Sequence, residues 1–86
     1  MNYTVIWRSA AVNALAAIWM AAPDRNVISD ATEAFDRAVA LDPLNVGESR
    51  PDGHRVGFSL PLGFRFEVVV DDRHVYVGAV WRVRKP

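Results

Sequence analysis

Residues 55–83 read RVGFSLPLGFRFEVVVDDRHVYVGAVWRV. Three runs dense in β-branched and aromatic residues stand here between two turn signals, Pro61-Leu62-Gly63 and Asp71-Asp72-Arg73. Such runs favour strands. Within each run the chemistry alternates with period two, which gives a strand one core face and one wetter face. In the first, Val56, Phe58 and Leu60 oppose Arg55, Gly57 and Ser59. In the second, Phe64, Phe66, Val68 and Val70 oppose Arg65, Glu67 and Val69. In the third, Val75, Val77, Ala79, Trp81 and Val83 oppose His74, Tyr76, Gly78, Val80 and Arg82. The pattern predicts an antiparallel meander with Phe58 and Trp81 in the core.

Upstream the period changes. Val12, Leu15, Ile18, Trp19 and Ala22 recur at helical spacing in an alanine-rich stretch, with Ser9 placed to cap it. Pro23-Asp24 ends that helix, and Asp24 can cap the next. Ile28, Ala31, Phe35, Ala38 and Val39 form the apolar stripe of a second helix, which Pro43 stops. Trp7, Trp19 and Phe35 read as core. Tyr3–Trp7 reads as an opening strand, and Leu44–Gly53, rich in turn formers, as a loop. The order is βααβββ. It predicts a single α+β domain over residues 1–86, with a helix hairpin packed on one face of a mostly antiparallel four-stranded sheet. Strands are expected at 2–8, 54–60, 64–71 and 74–83, and helices at 9–22 and 24–41.

Composition narrows the functional classes. The chain of 86 residues is half hydrophobic, so it can build a core, and it has no cysteine for disulfides or thiolate chemistry. Absence of cysteine suits a reducing compartment, and the expected location is cytoplasmic. The longest apolar stretch, Ala10–Ala22, is short of a membrane span, and the strand before it argues against a cleaved signal. No membrane association is expected. Net charge is zero but unevenly spread. Residues 1–48 hold three arginines against six carboxylates; residues 49–86 hold seven cations against four carboxylates. The basic half is nearly all arginine, suited to bidentate phosphate or carboxylate contacts.

Chemistry-bearing side chains gather on the wetter sheet face: Arg55, Ser59, Arg65, Glu67, His74, Tyr76 and Arg82, with Arg84 and Lys85 beyond. Arginines there can hold phosphates, and His74 or Tyr76 can exchange a proton with a ribose hydroxyl. The simpler reading is a solvated face on which Arg65, Glu67 and Arg82 form cross-strand charge pairs. His54 and His74 are too few for a metal motif, no glycine-rich loop precedes a helix, and no cofactor is expected.

The ordered set of motifs resembles the RelE/ParE toxins, in the branch of plasmid-stabilisation-like proteins. The matching pieces are the Tyr3–Trp7 strand before an alanine-rich helix from Ser9-Ala10-Ala11, the helix end Leu41-Asp42-Pro43, and Gly47-Glu48-Ser49-Arg50. Arg55, Pro61-Leu62, Phe64-Arg65-Phe66, Asp72-Arg73-His74-Val75-Tyr76-Val77 and Val80-Trp81-Arg82 follow in order. The resemblance implies the toxin of a type II toxin–antitoxin module, silenced by a cognate antitoxin, with homo- or hetero-oligomers open. RelE-like members cut messenger RNA on the ribosome; ParE-like members poison DNA gyrase; a third alternative is an inactive interaction module. By motif position Arg65 matches the arginine of the third-strand motif, and Arg82 and Arg84 match the basic end of the last strand; taken with the wetter face, Arg65, Arg82 and Tyr76 are the candidate catalytic residues, and Arg50, Arg55, His74, Arg84 and Lys85 the candidate target-binding ones. No tyrosine follows Tyr76, and Val56–Leu60 carries no lysine. Both features depart from the nuclease branch, as does a neutral charge, because phosphate contacts dominate nucleic-acid affinity. They point to action by binding.

Overall fold

The computed structural model describes residues 2–84. Its elements run β1 (Thr4–Trp7), α1 (Ser9–Ala21), α2 (Arg25–Leu41), a 3-10 turn at Pro43–Asn45, β2 (Glu48–Ser49), β3 (Arg55–Ser59), β4 (Leu62–Val69) and β5 (His74–Arg82). The strands form one mixed sheet in the order β1-β5-β4-β3-β2. β1 lies parallel to β5, and the other pairings are antiparallel. Both helices pack on one face of it, as expected. The sheet has five strands and not four, because Glu48–Ser49 pairs with Val56 and Arg55 from within the expected loop. The turn between β3 and β4 is also tighter than Pro61-Leu62-Gly63, since Leu62 and Gly63 already belong to β4.

The core is an aromatic stack between α2 and the sheet. Phe35 lies flat on Phe64, with centroids 3.8 Å apart and planes 5° from parallel. Trp7 meets Phe35 and Phe64 edge-on, and Phe66 meets Phe35 the same way. Edge and offset contacts of this kind add to the gain from burial. Ala11, Ile28, Val39, Pro43, Leu62, Val75 and Val77 are fully buried as well. The partly buried Trp7 indole donates to Asp36 Oδ1 at 3.0 Å, which ties β1 to α2.

Neither helix uses the expected cap. Arg8 occupies the N-cap position of α1 and makes no side-chain cap bond. Asp24 occupies that of α2, but its carboxylate turns to Arg82. The end of α1 is held by Arg25, which donates to the carbonyls of Trp19 and Met20 and lies 4.5 Å from the Trp19 ring centroid. A cation thus meets the negative end of a helix that has no basic residue of its own there. Trp19, expected in the core, is 41% exposed.

Two strands carry their side chains differently from the simple alternation. Directly paired residues of an antiparallel sheet share a face. Gly57 pairs with buried Phe64, so Arg55, Gly57 and Ser59 face the helices, and Val56 and Phe58 face outward. Position 57 needs to be small there, because a Cβ would stand 3.2 Å from Val46 and 3.3 Å from the Phe66 ring. In β5 the register slips between Arg65 and Phe66: Phe66 faces Val77, yet Arg65 faces Ala79. Gly78 is the extra residue of this bulge, and bulges re-aim the residues that follow. Val80 therefore enters the core, Trp81 turns out and Arg82 turns to the helix side.

Candidate functional site

The candidate residues divide between two faces. On the open face β5 brings His74 and Tyr76 side by side, with His74 Nδ1 3.1 Å from the Tyr76 hydroxyl. Arg8, from the end of β1, stacks its guanidinium 4.7 Å from the Tyr76 ring centroid and reaches Glu67 at 3.8 Å. Glu67 pairs with Tyr76 across β4 and β5, so these side chains form one patch. Arg8 was absent from the sequence-based set. Its position next to a strand that pairs with Tyr76 was not legible without the parallel β1–β5 register.

Arg65 stands on the same face, but its guanidinium is held by Asp52 at 2.9 Å and lies 3.4 Å from His54 Nδ1. Arg50 pairs with Glu48 at 3.1 Å. Arg55 is on the helix side and donates to the carbonyls of Val46 and Gly47 at 3.0 and 3.1 Å, so it braces the loop before β2. Arg82 is also on the helix side. It grips Asp24 through two bonds of 3.0 and 2.9 Å, the bidentate geometry at which arginine excels. Arg84 is exposed past β5. Lys85 lies outside the described residues.

The expected grouping of Arg65, Arg82, Arg55 and Tyr76 on one side is therefore corrected to Arg65 and Tyr76 alone. The bulge moves Arg82 and the inverted phase of β3 moves Arg55. The expected charge pairs among Arg65, Glu67 and Arg82 are replaced by Arg65–Asp52, Arg8–Glu67 and Arg82–Asp24. No group of three or more metal-ligating side chains occurs among the described residues.

On the opposite side of the molecule, α1 and α2 leave a groove of about 600 Å³ between them. Val12, Leu15, Trp19, Met20, Ile28 and Glu33 are among its walls. All 13 residues of α1 are uncharged, yet only Ala11 is fully buried. A helix apolar on every side is normally covered on every side, and here Val12 and Met20 are 48% and 70% exposed.

Electrostatics at two ion-paired carboxylates, Asp24 and Asp52, set an acid limit, and the indole-bound Asp36 opposes it. The Arg82 hydrogen bonds hold the Asp24 carboxyl below its ordinary 3.8. The His54 backbone N–H, then the charges of His54 and Arg65, do the same for Asp52. Burial pushes Asp36 up, against the Trp7 bond. A depressed folded value stabilises above the unfolded value and loses that contribution as pH falls through the folded one. Asp36 works in the opposite sense, favouring the fold when protonated. Melting temperature is expected to drop as pH falls below about 4, and to drop less in Asp24→Asn than in wild type. An unchanged pH slope in Asp24→Asn would remove the Arg82 pair from the acid response.

The architecture is that of chains found in toxin–antitoxin complexes. The chain superimposes on a chain of the complex RelBE2 from Mycobacterium tuberculosis with a TM-score of 0.78, over 95% of this chain and 99% of that one, at 19% identity. It also superimposes on a chain of the chromosomal ParDE system from P. aeruginosa with a TM-score of 0.72, over 95% and 97%, at 18% identity. The fold is thus RelE/ParE-like, with five strands in a mixed sheet. No family model matches the sequence, and no curated protein matches it significantly.

Proposed function

We propose that this chain is the toxin component of a type II toxin–antitoxin module. In this reading it inhibits growth in the cytoplasm by binding a translation or DNA-topology target, ribosome with messenger RNA or DNA gyrase, and a cognate antitoxin neutralises it. The observation that carries the reading is the end-to-end match of fold to chains of two toxin–antitoxin complexes. The uncovered apolar groove along α1 supports the second half of it, since that surface calls for a partner. Glu33 lines the groove and Asp30 lies one turn earlier on α2, while α1 offers no charge. An antitoxin segment suited to it is apolar on one side and carries lysine or arginine along the α2 edge.

Binding, and not RNA cleavage, fits the site best. Arg65 is neutralised by Asp52, and Arg82 is engaged on the other face, so no free arginine pair flanks Tyr76. The His74–Tyr76 hydrogen bond is the one feature that favours the alternative of an mRNA endonuclease, with His74 as the proton acceptor.

Induced expression in a bacterial host is expected to arrest growth, and co-expression of the small reading frame beside the gene to restore it. The purified pair should melt higher than the chain alone, increasingly so with partner concentration. A folded chain that leaves growth untouched at high expression would sink the toxin reading. Cleavage of messenger RNA on stalled ribosomes, abolished by His74→Ala, would replace binding with nuclease action.

A further inference from the structure

Along α1, Val12, Ala16 and Met20 recur every four residues and so share one row of the helix. All three line the groove, with Leu15 and Trp19 in the neighbouring row. Met20 ends its row and is 70% exposed, the most of any large apolar side chain in the groove. Its backbone is held in place, because Arg25 donates to the carbonyls of Trp19 and Met20 at 3.1 Å each. A partner lying along the groove therefore covers this thioether. The chain has no cysteine, and its other methionine is Met1. Methionine is soft and adaptable, which suits a contact surface, and a peroxide converts it to a polar sulfoxide.

Oxidation changes what this surface accepts. In the free chain the sulfoxide oxygen stays in water and costs the fold little. Under a docked apolar segment that oxygen loses its water and needs a donor. Three donors around the groove are already engaged. The Trp19 indole N–H donates to Ser29 Oγ at 3.3 Å, the Thr32 hydroxyl donates to the Ile28 carbonyl at 2.8 Å, and Arg25 holds the two carbonyls at the end of α1. Burying a polar group without a hydrogen bond is unfavourable, so the penalty falls on the complex. The α2 lip sets the charge of what docks. Glu33 lines it, and neither Glu33 nor Asp30 is ion-paired among the described residues, whereas Asp24, Glu48, Asp52 and Glu67 are. A segment with apolar side chains toward α1 and lysine or arginine toward α2 meets both requirements.

We propose that Met20 is a redox-sensitive modification site: oxidation of its thioether to the sulfoxide by a peroxide weakens docking of an apolar, basic-edged protein segment in the α1–α2 groove and leaves the fold intact. The sulfur takes one oxygen atom from hydrogen peroxide and gives up two electrons, and the peroxide is reduced to water. The reaction belongs to the free chain, because a docked segment shields the sulfur. The proposal rests on the reading above in that the docked segment is the antitoxin's. An oxidised chain is then harder to recapture, and peroxide prolongs growth arrest.

Titration calorimetry of the reduced and the peroxide-treated chain with one synthetic helical peptide measures the effect directly, apart from growth. The peptide carries leucines on one face and lysines along the adjacent edge, and it has no methionine. Peptide mass mapping confirms one added oxygen at Met20. The sulfoxide form is expected to bind about tenfold or more weakly than the reduced form, the scale of burying one unpaired polar group. Without peptide the two forms should melt at the same temperature. Met20→Leu should bind like the reduced wild type and keep its affinity through peroxide treatment, whereas Met20→Gln should bind weakly with no oxidant. Excess peptide should slow the oxidation of Met20. Absence of peptide binding by the reduced chain, equal affinity of the two forms, a fall in melting temperature on oxidation, or an equal loss of affinity in peroxide-treated Met20→Leu would each overturn the proposal. Growth arrest that the neighbouring reading frame relieves, with peptide affinity indifferent to oxidation, overturns the redox role and leaves the toxin reading intact. Absence of arrest, with peptide affinity that falls on oxidation of Met20, sinks the toxin reading and supports the modification site.

Discussion

Replacing Phe64 by alanine is expected to cost about 3–5 kcal/mol, the range for removing a large aromatic side chain from a packed core. Phe64 is fully buried, lies flat on Phe35 at 3.8 Å and receives the edge of Trp7 at 6.0 Å. It sits on the central strand of the five, under α2, so neither element can close over the space without losing its own contacts. Stability of about 0.05–0.15 kcal/mol per residue gives an 86-residue domain roughly 4–13 kcal/mol in all. The variant is therefore left marginal or unfolded at 37 °C. Urea unfolding followed by tryptophan fluorescence checks this, with Phe58→Ala as the reference. Phe58 is 57% exposed, and its truncation should move stability by less than about 1 kcal/mol. Similar losses from both variants would show that the aromatic stack is not the centre of the core.

The element order was legible because each signal is local. The switch from period 3.6 to period 2 between Val39 and Val56 is written in neighbouring residues, and so are the breaks at Pro23 and Pro43. The helix and strand ends fall within about two residues of those expected. What sequence did not disclose depends on pairing. Glu48–Ser49 has no strand signal of its own, and becomes a strand only because β3 lies beside it. The face of β3 was inverted for a related reason. Phe58 is apolar, and alternation assigns apolar residues to the core, but the core side at this edge is already occupied by Val46 and Phe66, which crowd even a Cβ at position 57.

The candidate site suffered more, because it combined residues from three strands and one slip of phase relocates everything beyond it. The bulge at Gly78 is such a slip. A glycine within a strand pattern is the one sequence signal that marks it. Read that way, Val80 moves inward, Trp81 outward and Arg82 to the helix side, as the structure has them. His74 and Tyr76 precede the bulge and kept their expected face. The partners of the arginines carried no comparable signal. Asp24 and Arg82 are 58 positions apart, and Asp52 and Arg65 are 13 apart, across a loop whose course depends on β2.

Gly47→Ala is expected to destabilise by about 2–4 kcal/mol, the scale of a backbone forced out of position. Two separate terms contribute. Gly47 has φ +66°, a left-handed conformation that costs an alanine about 1 kcal/mol. Its Cα also stands against β3, where a Cβ would collide with the Val56 carbonyl and the Gly57 Cα. Those are backbone atoms in a hydrogen-bonded strand, so the loop has to move instead. Moving it detaches the carbonyls of Val46 and Gly47 from Arg55 and pulls Glu48 and Ser49 off β3. Gly53→Ala separates the terms. Gly53 has φ +84°, but nothing lies within 4 Å of the position its Cβ would take, so only the conformational cost of about 1 kcal/mol applies. Chemical unfolding of the two variants should therefore differ by at least about 1 kcal/mol, and amide exchange at Val56 and Gly57 should accelerate in Gly47→Ala alone. If the two substitutions cost the same, Gly47 serves only as a turn residue, and the fifth strand does not depend on its contact with β3.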